Sequence, residues 1–93
     1  MLDCIINLGG KAWNVVWKSE VDNGENTGHC DYDRQRLLIC DSLDDEERIE
    51  TVIHECLHAQ FPWMTEESVT ASAKELTDAL FATGTIRKES DED

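Results

Sequence analysis

Basic side chains are scarce in this chain: 8 lysines and arginines stand against 21 aspartates and glutamates, a net charge of −13 over 93 residues. A surface of that sign repels phosphate, which argues against direct binding to nucleic acid or to an anionic membrane. Two other uses of the charge stay open, solubility and attraction of a basic protein partner. There is no long apolar run of the kind that crosses a bilayer, and no basic-then-apolar leader, so the expectation is a soluble, cytoplasmic protein. Close cysteine pairs are missing too. Cys4, Cys30, Cys40 and Cys56 lie far apart, match no zinc knuckle or ribbon, and read as four buried thiols rather than disulfides.

The charged ending is set apart from the rest. Residues 85–93 carry four of the acids at their close and read as a disordered acidic tail. Residues 1–84 read as one small domain, and at this size a bound metal would add usefully to a modest core.

What is present is led by His54-Glu55-Cys56-Leu57-His58, the pattern H-E-x-x-H. Residues four apart on an α-helix share a face one turn apart, so both imidazoles can reach one ion at about 2.0–2.1 Å. Glu55 then stands beside that ion, near enough to bond its water without becoming a ligand. The neighbours favour a helix. Ile49, Val52, Ile53, Cys56 and Leu57 recur at i, i+3, i+4, i+7 and i+8, an apolar stripe on the far side from the histidines. The histidines share their face with Glu47, Glu50 and Thr51. A solvated polar face would account for two histidines there, but it does not require a glutamate directly after the first.

The order of elements follows from local signals. Leu2, Cys4, Ile6 and Leu8 alternate with mostly polar neighbours, as do Trp13, Val15 and Trp17, and Gly9-Gly10 between them reads as a hairpin turn. Residues 22–28 form a loop by composition. Two short strands follow, around His29 to Tyr32 and Arg36–Cys40, with a turn at Asp33-Arg34-Gln35. Ser42 is the N-cap candidate of the histidine helix, and acids crowd its first turns where the dipole favours them. Pro62 stops that helix near Gln60, with Phe61, Trp63 and Met64 expected to pack at the corner. Thr65 caps a second helix with the stripe Val69, Ala73, Leu76 and Leu80, ended by Gly84.

Zinc held by two histidines needs a third protein ligand if one position is to stay open. The other histidine of the chain besides the pair is His29. Glu66 and Glu67 open the helix after the corner, which returns them towards His58. Glu66 lies near the inward edge of the apolar stripe and Glu67 points away, so phase selects Glu66 and keeps Glu67 in reserve. Both are also ordinary first-turn acids.

Residues 51–80, with His54-Glu55-Cys56-Leu57-His58-Ala59, the Pro62 corner and Glu66-Glu67-Ser68-Val69, resemble the small zincin metallopeptidases of bacteria and phages, of the ImmA/IrrE and SprT-like kind. The run Gly28-His29-Cys30-Asp31-Tyr32-Asp33 and the strand Arg36–Cys40 are similar to the edge region of such minimal zincins. The resemblance implies an α+β fold, a small, mainly antiparallel sheet of about four strands packed on two C-terminal helices. It implies zinc on His54, His58 and Glu66, with Glu55 as the general base of metal-assisted peptide-bond hydrolysis. Thr70 stands where related sequences often carry Asp or Asn, and no His or Tyr follows Glu66. The upstream candidates for transition-state stabilisation are His29 and Tyr32, and the edge strand would hold a peptide or protein substrate by strand addition. Two rivals stand beside this reading: a non-catalytic acidic interaction protein that mimics DNA, and a module in which zinc is a structural staple.

Overall fold

The computed structural model describes residues 1–87, so the expected disorder of the acidic ending falls, for Lys88 to Asp93, outside the described residues. It holds β1 (Cys4–Leu8), β2 (Lys11–Lys18), β3 (Gly28–Asp31), β4 (Arg36–Cys40), α1 (Asp45–Gln60) and α2 (Glu66–Ala82). The class is α+β, as expected: a four-stranded sheet of order β1-β2-β4-β3 with two helices after it. The two outer pairings are antiparallel and the central β2–β4 pair is parallel. That parallel pair arises because the chain leaves β2, passes beyond β4 to lay down β3 at the edge, and returns by a tight turn.

The turns carry the signals that made them predictable. Gly9 and Gly10 both have positive φ, 59° and 77°, the conformation a two-residue hairpin loop demands. The β3–β4 turn closes through Gln35 at φ 51°. Between β2 and β3, the fully buried Val21 anchors a single 3-10 turn, Asp22–Gly24, and pairs with Asn26.

Strand alternation builds the core. Trp13 and Val15 from β2 and Leu37 and Ile39 from β4 cluster with Ala59 of α1, with Val52 and Cys56 packed against them. On the sheet's side of α1, however, the buried positions are Thr51, Glu55 and Ala59, whereas Ile49, Val52, Ile53, Cys56 and Leu57 are half-buried. Helix α1 contacts both the sheet and α2. Its apolar stripe is therefore divided between two neighbours, and part of its polar face turns inward against β3.

Four expectations need correction. The α1 N-cap is Asp44, which accepts from Glu47 N at 2.9 Å; Ser42 lies too far upstream and pairs instead with Cys40 Sγ. The cysteines are not four buried thiols: Cys4 is exposed on the edge strand and the other three are half-buried. On α2 the buried stripe is Val69, Ala73 and Thr77, and Leu76 is exposed. Thr77 can be buried because its hydroxyl donates to Ala73 O at 2.7 Å. Finally, packing at the Pro62 corner is slight. Trp63 is 76% exposed and meets the half-open Phe61 edge to face at 5.6 Å.

The helix ends agree with the sequence signals. α1 stops at Gln60 before Pro62, Thr65 caps α2 by accepting from Ser68 N, and Gly84 follows its end at φ 74°.

Candidate metal centre

Three side chains converge where α1 and α2 turn past each other. His54 and His58 stand one turn apart in the second half of α1, their ring centroids 4.9 Å apart and their Nε2 atoms separated by 3.2 Å. The corner returns the chain, and the first residue of α2, Glu66, places Oε1 2.9 Å from His54 Nε2 and Oε2 2.8 Å from His58 Nε2. Glu67 is not in the group. Among the described residues, His54, His58 and Glu66 form a set that could hold a metal ion, with donor atoms within 4.8 Å of one another.

The donor chemistry can be tested against distance. Zinc bonds to imidazole nitrogen and carboxylate oxygen at about 2.0–2.2 Å, so tetrahedral ligand atoms stand about 3.3 Å apart. The imidazole nitrogens stand 3.2 Å apart and each has a different Glu66 oxygen at 2.9 or 2.8 Å, so a small rotation of the exposed carboxylate would present one oxygen to both. Two borderline nitrogens and one carboxylate also leave a fourth position free.

Glu55, next in sequence to His54, is not one of this set. Its side chain borders the same cleft although the residue is only 6% exposed. Burial, reinforced by the nearby charges of Glu66 and Asp22, pushes its carboxyl up to about 7. A carboxylate in the open has no such tuning.

The cleft, about 420 Å³, runs between β3 and α1 and contains Gly28, His29, Cys30 and Tyr32 on one wall and Glu50, Thr51, His54, Glu55 and His58 on the other, with Glu66 at one end. Its charged side chains are all carboxylates. β3 pairs with β4 on one side and ends the sheet on the other, so it is the edge strand anticipated for residues 29–32, displaced by one residue.

His29 and Tyr32 both reach this cleft but play local parts. His29 Nδ1 lies 3.4 Å from Asp22 Oδ2 and stays out of the metal-ligating set. Tyr32 donates its hydroxyl to His58 O at 3.1 Å and sits edge to face with Trp13 at 6.1 Å. Burial first, and then Cys30, push the Tyr32 phenol up to about 12, so it is a donor at neutral pH. That bond ties the turn after β3 to the last turn of α1, beside a histidine of the set.

The sequence signals place Asn26 and Thr27 in a loop by composition, put Gly28 both at the end of that loop and at the head of the zincin-like edge run, and set Thr51 on the face of the histidines; none of the four is singled out for the site. The signal for these was indirect, since each faces the site only after β3 has folded onto α1. Thr51 Oγ1 donates to Thr27 Oγ1 at 3.1 Å and fixes that approach. Comparison with protein-family models, with curated proteins and with solved structures gives no match to this chain.

Proposed function

We propose that the protein is a zinc-dependent metallopeptidase. The observation that carries this reading is the convergence of His54, His58 and Glu66 beside a buried, non-ligating glutamate, in a cleft that runs along a free sheet edge. His54 Nε2, His58 Nε2 and one Glu66 oxygen would hold the ion. When bound there, zinc supplies a Lewis acid that polarises a carbonyl and brings the pKa of its water towards neutrality.

The chain's own residues do the rest. An extended peptide adds to the open edge of β3 by backbone hydrogen bonds, which places its carbonyl against the α1 wall. The buried Glu55 carboxylate accepts a proton from the attacking water as the oxygen bonds to the carbonyl carbon. It returns that proton to the amine nitrogen as the C–N bond breaks. Tyr32 secures the backbone of His58.

The test compares zinc-loaded wild type with Glu55→Gln on a protein mixture from the native host, reading new N-termini. Wild type generates them and a chelator abolishes them. Glu55→Gln keeps its zinc and slows by about 10²–10⁴-fold, the usual share of a general base. Cleavage by the variant at the wild-type rate would remove Glu55 from the mechanism. Bound zinc without cleavage by either protein would favour a structural staple. Failure to bind zinc would favour the acidic interaction protein that the charge of −13 supports.

A further inference from the structure

Gly28 differs from the other four glycines of the chain. Gly10 and Gly84 have open space where a Cβ would stand, and Gly9 and Gly24 would meet neighbours at ordinary distances of 3.7–3.8 Å. A Cβ on Gly28 would lie 2.7 Å from Thr51 Cγ2, 2.8 Å from Glu55 Oε2 and 3.0 Å from Glu55 Cγ. Its backbone is not in the left-handed region, where Gly9, Gly10, Gly24 and Gly84 fall. The glycine is thus required by space and not by conformation.

Both neighbours belong to α1, four residues apart, and they cannot yield equally. Thr51 is β-branched and stiff at χ1, buried, and tied through its hydroxyl to Thr27. Glu55 reaches the same point with the end of a flexible side chain. Swinging the Glu55 side chain away relieves the contacts at 2.8 and 3.0 Å and moves the very atoms the reaction needs, whereas the 2.7 Å contact with Thr51 Cγ2 is relieved by a small separation of β3 from α1.

We propose that Gly28 is a positioning residue: its missing side chain lets β3 lie directly on α1 and sets where the Glu55 carboxylate stands in the cleft. The catalytic consequence rests on Glu55 being the base, as argued above. The positional claim does not, because it can be read without turnover. The three atoms nearest to a Cβ belong to Thr51 and Glu55 and none to the histidines or Glu66, so zinc stoichiometry is the control for the metal set.

The experiment uses zinc-loaded full-length wild type and Gly28→Ala, with zinc stoichiometry and side-chain NMR of Glu55. The wild type is expected to give nuclear Overhauser contacts between Gly28 Hα and Glu55 Hγ. Gly28→Ala is expected to keep its zinc, lose those contacts and shift the Glu55 carboxyl resonance. On a substrate that the wild type cleaves, kcat falls on the order of 10²-fold, the effect of a displacement of about 1 Å, with KM little changed. A role in folding alone would leave Glu55 unmoved in whatever fraction folds. If Gly28→Ala does not fold, Gly28→Ala with Thr51→Ser removes the contact at 2.7 Å and carries the same expectation, since the overlap with Glu55 remains. An unchanged Glu55 resonance with the contacts retained would overturn the proposal. A wild type that binds zinc yet cleaves nothing would instead count against the peptidase reading and leave the positional result standing.

Discussion

The two helices meet the same cluster from opposite kinds of environment. α1 lies between the sheet and α2, and it buries two polar residues, Thr51 and Glu55, while its apolar stripe is only half-covered. α2 buries a stripe of small and apolar residues, Val69, Ala73 and the self-satisfied Thr77, and delivers Glu66 on a side chain 68% exposed. The lesson is a division of labour. Groups that must be tuned and held sit on the enclosed helix, whereas the third donor comes from the outer one, where an exposed carboxylate loses little on meeting a cation.

This comparison can be broken most sharply at Glu55. Its carboxyl is raised from 4.5 to about 7 by burial, so the folded state binds that proton more tightly than the unfolded chain. The associated stability is fully present below about 4.5 and is lost as pH rises through about 7. In chelator-treated protein, unfolding at pH 5 and pH 8 should differ through this group by on the order of 3 kcal/mol. Glu55→Gln should flatten the difference. An unchanged pH dependence in the variant would place Glu55 in water and end the contrast between the helices.

The outer helix is tested next. Glu66→Gln should weaken zinc binding by at least roughly 10–100-fold, the range that loss of even an outer partner of a ligand costs. Glu67→Gln, isosteric and adjacent, should leave it within about twofold. Titration with a chelator competitor measures both, and the reverse order would mean that α2 is rotated by about one residue, or roughly 100°.

The smallest effect concerns how α1 begins. Asp44→Ala should cost about 1 kcal/mol in denaturant unfolding, and Ser42→Ala much less, because Asp44 and not Ser42 accepts from the first turn. Equal losses would return the cap to Ser42.

Much of this was legible where the signal is local. Gly9-Gly10 specified a turn, Pro62 and Thr65 bounded the helices, and the spacing of His54, Glu55 and His58 brought two imidazoles to one face. Phase alone preferred Glu66 to Glu67, and it is Glu66 that meets the histidines. What stayed hidden depends on contacts between distant segments. Glu55 scores as surface in any reading of apolar periodicity, since its burial comes from β3, some 27 residues upstream at Gly28. Gly28 stands at the junction of loop and edge run in the sequence, and nothing local marks its approach to Glu55. Leu76 and Thr77 exchanged places because a hydroxyl bonded to its own helix can be buried more cheaply than its polarity suggests. Trp63, expected to pack at the corner, does meet the Phe61 ring but stays 76% exposed, because the five residues between α1 and α2 turn away from the core.

The account stands on His54, His58 and Glu66 holding a single ion. The most direct measurement is native mass spectrometry of the chain, stripped with chelator and reloaded with zinc, for the wild type beside His58→Ala. The account predicts one zinc per wild-type chain, and in His58→Ala the loss of that zinc together with the stability it confers. Retention of zinc by His58→Ala at the wild-type level would contradict it.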